Sequence, residues 1–216
     1  MLPDTFETAR LLLRPVAVAD ADAIFDNYAQ DQEVARYVIW RPHRNRGETQ
    51  AYVEHCVATP AEVERTYMLV GRKDNVVRGA FALRQRAPHR LDCGYGLARR
   101  WWRQGLMTEA LTEVTVWALS QPSVFRIGAV CDVDNIGSAR VLEKSGFFLE
   151  GLLHRWLVHP NVSDEPRDCY SYARVRFLCK AQREGMYIWY IPVLPEDSCS
   201  TISVAGGLRG TLQSDA

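Results

Sequence analysis

Between Leu91 and Ser120 the chain must change conformation abruptly, and that change limits the folds open to it. Leu91–Leu97 is apolar and β-prone, with Gly94 and Gly96 inside it. A basic, aromatic turn follows, Arg99-Arg100-Trp101-Trp102-Arg103. Gln104–Ser120 then carries Met107, Ala110, Leu111, Val114, Trp117 and Ala118 on one face at helical spacing, so it reads as the longest helix of the chain. A strand that runs into a helix through so short a turn leaves the first helical N–H groups unpaired, with the positive end of the helix dipole behind them. Such a turn binds anions, and the surrounding arginines point to a phosphate.

The rest of the chain supplies a sheet for this unit to join. Arg10–Pro15 reads as a short strand stopped by proline. Asp20–Ala29, about Gln32–Ile39 and Glu48–Ala58 read as helices, separated before the third by the basic, aromatic loop Trp40–Gly47. Tyr67–Gly71 and Val76–Leu83 form a hairpin about Lys73-Asp74-Asn75. After the central helix, Ile127–Val133 is a strand, Ser138–Ser145 a short helix ended by Gly146, and Phe147–His154 and Asp168–Val175 are strands. Hairpins first and strand–helix alternation later predict an α+β fold with a mixed central sheet. Glycine inside a strand marks a bulge or a close approach by another chain, which draws attention to Gly94 and Gly96.

Composition excludes several classes of function. The 216 residues suit one sizeable core rather than two domains. A formal net charge of zero argues against a general nucleic-acid or membrane binder. No apolar run approaches the roughly 20 residues that span a bilayer, and the N-terminus lacks the pattern of a signal peptide, so a cytoplasmic location is expected. Cys56, Cys93, Cys131, Cys169, Cys179 and Cys199 are scattered without a C-x-x-C pair, which predicts neither a metal site nor a disulfide framework. His55 and Cys56 adjoin in sequence, but neighbouring residues on a helix do not face each other.

A second motif, Asn135-Ile136-Gly137-Ser138-Ala139-Arg140-Val141-Leu142-Glu143-Lys144-Ser145-Gly146-Phe147, lies one strand beyond the first. In this order and at this spacing, the two motifs resemble the acyl-CoA-binding half of GNAT-superfamily N-acetyltransferases. With the opening Glu7-Thr8-Ala9-Arg10-Leu11-Leu12-Leu13-Arg14-Pro15, the chain is most similar to the ribosomal-protein-alanine N-acetyltransferase-like branch. The resemblance covers roughly Thr5 to Arg176. It implies a GNAT-like, mostly antiparallel mixed sheet flanked by helices, with a splayed strand pair at the cofactor site. Residues 5–176 would be the acetyltransferase domain and 177–216 a C-terminal extension whose last twenty or so residues read as disordered.

The same resemblance implies the site. Acetyl-CoA would be the co-substrate, without a metal, its pyrophosphate lying on the amides from Arg103 to Thr108 and its pantetheine arm between the strands Leu91–Leu97 and Ile127–Val133. The cofactor-binding set is Leu97, Arg99, Arg100, Trp102, Arg103, Gln104, Gly105, Leu106, Met107, Thr108, Asn135 and Ser138. Gly105 matches a glycine of the family motif R/Q-x-x-G-x-G/A. Trp102 stands where that motif has Arg or Gln, Met107 where it has Gly or Ala, and Arg103 where an extra glycine is common. Many family members carry a tyrosine as acid to the thiolate where this chain has Leu142. The ribosomal-protein branch offers a serine instead, here Ser138. Both Asn135 and Ser138 also suit a helix N-terminus in their own right.

An amine nucleophile must lose a proton before it attacks a thioester. Asp92 is the first candidate for the base, and His89, Tyr95, His154 and Tyr170 are others. The expected activity is transfer of acetyl to a primary amine, on a protein N-terminus or a small molecule, by direct attack in a ternary complex. The expected state is monomer or homodimer, with no nucleic acid and no membrane as partner. A non-catalytic acyl-CoA sensor or partner subunit is the alternative. A dinucleotide-binding oxidoreductase would need a G-x-G-x-x-G turn that this chain lacks.

Overall fold

The computed structural model describes residues 2–176 and, as backbone, residues 179–183 and 186–190. Short apolar runs bounded by turn residues make an eight-stranded sheet: β1 (Phe6–Glu7), β2 (Leu11–Pro15), β3 (Glu64–Gly71), β4 (Val77–Ala87), β5 (Arg90–Leu97), β6 (Arg126–Asp132), β7 (Phe148–Val158) and β8 (Pro166–Val175). Their order is β1-β2-β3-β4-β5-β6-β8-β7. Every neighbouring pair is antiparallel except β5 with β6. The mixed, mostly antiparallel sheet read from the sequence is therefore present. Beyond it, β9 (Cys179–Arg183) and β10 (Met186–Tyr190) pair with each other as a separate antiparallel ribbon. The last twenty or so residues lie outside the described residues.

Helices cover both faces of the sheet. On one face lie α4 (Leu106–Ser120) and α5 (Ile136–Lys144). Their residues Met107, Leu111, Val114 and Leu142 pack with Leu13, Phe81, Leu91 and Ile127 from the strands. Burying a leucine of this kind contributes about 1.5–3 kcal/mol. On the other face lie α1 (Ala21–Ile24), α2 (Gln32–Ala35) and α3 (Arg46–Ala58). There Ile24, Tyr28 and Val53 pack against Met68, Val70 and Val77. Successive strand residues point to opposite faces, so Leu91, Cys93, Tyr95 and Leu97 of β5 face α4 and α5, whereas Asp92, Gly94 and Gly96 face the other way.

The first helices are shorter than the sequence pattern predicts. The segment read as Asp20–Ala29 begins at Val18 and divides into a 3₁₀ turn over Val18–Asp20, α1, and a π-helical turn over Phe25–Ala29. The next helix stops at Ala35 instead of running to Ile39. There Ala35 O accepts the Val38 amide (3.3 Å) in a tight turn, and the Asn161 side-chain amide donates to Ala35 O (2.6 Å) and to Trp40 O (2.7 Å), which holds the chain in a loop. At α3 the start moves earlier, to Arg46, where Asn45 Oδ1 accepts from the Glu48 amide (3.0 Å) as N-cap. β7 continues past His154 to Val158 through an irregularity at Arg155 (φ 46°), whose amide is held by Asp168 (2.8 Å).

Candidate active site

β5 ends at Leu97, and Ala98 buries itself against the helices of the opposite face. A 3₁₀ turn over Arg99–Trp101 follows, closed by Trp102, whose indole N–H donates to Leu97 O (2.6 Å). Arg103 (φ 59°) and Gly105 (φ 72°) both take left-handed backbone before α4 begins at Leu106. For Arg103 this costs about 1–2 kcal/mol that glycine would not incur. No side chain caps α4, and among the described residues the amides of Gly105, Leu106, Met107 and Thr108 have no protein acceptor. Leu106 and Met107 are buried, their side chains in the core beneath the turn. Met107, which stands where the family motif has Gly or Ala, thus places its side chain in the core.

The arginines of this turn are not all free to meet an anion. Arg99 pairs with Asp31 (3.7 Å). Arg100 donates to Asn27 Oδ1 (2.6 Å) and lies over the Trp101 ring. Arg103 is exposed and makes no ion pair among the described residues. Gln104 donates from its side chain to Arg100 O (3.0 Å), which closes the turn on itself.

β5 and β6 are in register at only three positions, Arg90 with Arg126, Leu91 with Ile127 and Asp92 with Gly128. From Cys93 and Ala129 onward they part, while each keeps its partner on the other side, β4 for β5 and β8 for β6. The facing edges thus have unused backbone groups, and the slot between them opens toward the N-terminus of α4. A Cβ at Gly96 would meet nothing within 4 Å, and one at Gly94 would come within 3.2 Å of the Arg84 guanidinium. Neither glycine has a positive φ.

Across the slot, Asn135 caps α5 by accepting from the Ser138 amide (3.1 Å). The Ser138 hydroxyl lies 3.1 Å from the Tyr95 hydroxyl, which also approaches Ser138 O (3.3 Å). Burial pushes the Tyr95 phenol far above its ordinary value, so it stays protonated and can donate. Cys131 lies in the same neighbourhood, its thiol pushed up to about 12 by burial. Leu142 is fully buried, so no phenol comes from its position. Tyr95 was visible in the sequence only as one possible base. Its place beside Ser138 follows from the face that odd-numbered β5 residues share.

The other base candidates are dispersed. Asp92 sits on the last paired rung, on the face opposite Ser138, with Arg86 at 3.0 Å. His89 lies in the turn before β5, at the end away from α4. His154, on the edge strand β7, is engaged by Asp168 (2.9 Å). Tyr170 packs edge-on against Tyr172. The loop after α2 docks on the β7–β8 connection, where Arg41 donates to Pro160 O (2.9 Å) and Tyr37 meets the buried His159 edge-on. Its basic groups are matched locally, Arg44 by Glu48 and Arg46 by Asp22 and Asp26. Among the described residues there is no cluster of side chains able to hold a metal, and no helix is long and apolar enough to cross a membrane.

Comparison with known proteins agrees with this architecture. A family model described as an acetyltransferase (GNAT) domain matches residues 10–148. The uncharacterized N-acetyltransferase YoaA of Bacillus subtilis strain 168 is 30% identical over 174 residues, covering 79% of this chain and 97% of that protein. The ribosomal protein uS5-alanine N-acetyltransferase of Escherichia coli K12 is 27% identical over 169 residues, covering 70% of this chain and 81% of that one. Among solved structures, the fold is similar to that of RimL, a ribosomal alpha-N-protein acetyltransferase, in complex with coenzyme A. The TM-score is 0.70 at 20% identity, over 79% of this chain and 97% of that one.

Proposed function

Because the chain belongs to the GNAT family of acetyltransferases, we propose that it binds acetyl-CoA in the β5–β6 slot and acetylates a primary amine by direct attack in a ternary complex. The acceptor is a protein N-terminus or a small amine. One observation carries this reading: four successive amides, Gly105 to Thr108, unpaired among the described residues, stand at the mouth of a slot between two parted strands. The residues fit the ligand. Unpaired N–H groups at a helix N-terminus suit a pyrophosphate, exposed Arg103 adds a cation, and the open β5 and β6 edges suit the amide groups of a pantetheine arm. Leu97, Trp102 and Gln104 shape the turn, while Arg99 and Arg100 contribute positive charge from their paired positions.

Acetyl-CoA, when bound, supplies the acetyl group as an activated thioester. The remaining chemistry is proton handling by this chain. Asp92, facing away from α5, receives through water the proton that the attacking amine must lose as the new C–N bond forms. Ser138 Oγ, aimed by the Tyr95 hydroxyl, donates a proton to the sulfur as the C–S bond breaks, and Asn135 keeps Ser138 at the first turn of α5. Acid and base thus act from opposite faces of the sheet.

Calorimetry with acetyl-CoA, followed by thiol release over a panel of amines and peptides in the same preparation, tests this. Binding with amine-dependent thiol release is the expected result. Binding without release on any amine would leave the sensor role instead, and absence of binding would remove the proposed site.

A further inference from the structure

The opening Thr8–Arg10 motif and the start of α4 are far apart in sequence but meet at one point, and the chemistry above gives that meeting no role. Arg10 donates from Nε to Glu109 Oε2 (2.6 Å) and from Nη1 to the Gln104 carbonyl (2.9 Å). The Arg10 backbone amide donates to Glu109 Oε1 (2.8 Å), and the Thr8 hydroxyl donates to the same oxygen. Thr8 Oγ1 in turn accepts from the Leu11 amide (2.9 Å), which ties the group to β2. Burial pushes the Glu109 carboxyl up, but the Thr8 and Arg10 hydrogen bonds outweigh it and hold the group below its usual range. The carboxylate therefore stays charged and keeps the guanidinium in place at neutral pH.

Planar geometry carries this contact into the turn. In a trans peptide the C=O and the next N–H point in opposite directions, and the described residues contain no cis peptide. Fixing the Gln104 carbonyl on Arg10 therefore aims the Gly105 N–H away from Arg10. The guanidinium also lies against Gly105, with Nη2 at 3.6 Å from where a Cβ would stand. Both left-handed residues, Arg103 and Gly105, flank the peptide-bearing residue that Arg10 holds.

We propose that Arg10 is a positioning residue of the phosphate-binding turn: it fixes the direction of the Gly105 amide and holds the Arg103–Gly105 backbone ready for the pyrophosphate. This rests on the reading of the α4 turn as the acetyl-CoA site. Arg10 acts through Gln104 and Gly105, so its loss should raise the KM for acetyl-CoA and leave kcat nearly unchanged.

The test uses the full chain, measuring acetyl-CoA affinity by calorimetry alongside kcat and KM. Loss of a charge-assisted bond predicts about ten- to hundredfold weaker binding for Arg10→Ala. Arg10→Lys should lose a similar amount, because one ammonium does not reproduce a guanidinium that spans two acceptors. Glu109→Gln should weaken binding too, through the same positioning. Arg72→Ala, which removes contacts to Thr8 O and Glu7 in the same hairpin, should lower the Tm and leave affinity unchanged. Wild-type affinity in Arg10→Lys would overturn the proposal even if Arg10→Ala failed to fold. So would tighter binding in Glu109→Gln, which would make Arg10 a direct ligand, or an affinity loss in Arg72→Ala equal to that of Arg10→Ala. A wild-type chain that does not bind acetyl-CoA removes the underlying site, whereas wild-type binding with Arg10→Ala unaffected removes this role alone.

Discussion

The two sides of the mouth of the β5–β6 slot, one at α4 and one at α5, are built from different materials. On the α4 side the groups on offer are backbone amides, with side chains either buried beneath them, as Leu106 and Met107 are, or braced behind them, as Arg10 is. On the α5 side they are side chains, the hydroxyls of Ser138 and Tyr95, while the Asp92 carboxylate lies at the closed end of the slot on the opposite face of the sheet. Backbone sites tolerate changes of residue type so long as the dihedrals survive. Arg103 shows this by taking a left-handed conformation that glycine adopts more readily. Side-chain sites tolerate much less, because truncating a side chain removes its polar group outright. Binding and turnover should therefore respond to different substitutions.

Gly105→Glu should have the largest effect. It adds a side chain at φ 72° and a negative charge at the phosphate end, and should weaken acetyl-CoA binding about a hundredfold or more, since strain and repulsion act together. Calorimetry would show it, and unchanged affinity would break the contrast between the two sides at once. Asp92→Asn should lower kcat/KM about a hundredfold, the lower range of general base catalysis, with acetyl-CoA affinity retained; full activity on the same amine would take Asp92 out of the reaction. For Ser138→Ala, turnover should fall by about tenfold or more while affinity changes little, as steady-state kinetics would report. An affinity loss of that size instead would make Ser138 part of the binding side.

Arg103→Gly sharpens the comparison at smaller scale. Relief of left-handed strain, offset by glycine's extra backbone entropy when unfolded, should stabilise the fold by up to about 1 kcal/mol. A thermal melt would register this as a Tm a few degrees higher. A lower Tm would mean that the Arg103 side chain contributes more than its backbone costs. Removing residues after about Pro195 should have the smallest effect, leaving both Tm and affinity as they were. A collapsed melting temperature would place that segment within the folded domain.

Legibility in the sequence followed the same division. The strand, basic turn and long helix from Leu91 to Ser120 were readable because their signals are local: a β-prone run, a glycine at the turn and a helical apolar stripe. The parted strands followed from a family resemblance, and the register of β5 with β6 bears them out. The end of α2 was not readable, because Asn161, far along the chain, donates to its last carbonyl, Ala35 O. The same holds for Arg10 and Glu109, about a hundred residues apart, and for Tyr95 with Ser138. Residues 7–15 marked the family branch without revealing that Arg10 reaches the turn. Even so, alternation along β5 contained the clue to Tyr95, since residues 91, 93, 95 and 97 share one face.

The proposed site stands or falls on whether the amides at the start of α4, unpaired among the described residues, receive the ligand's phosphates. Nuclear magnetic resonance of the ¹⁵N-labelled full chain, titrated with acetyl-CoA, tests it residue by residue. The predicted result is that the Gly105, Leu106, Met107 and Thr108 amides shift strongly downfield and become protected from exchange on binding. If acetyl-CoA binds while those four amides keep their free-state shifts and exchange rates, the ligand lies elsewhere and the account of this site is wrong.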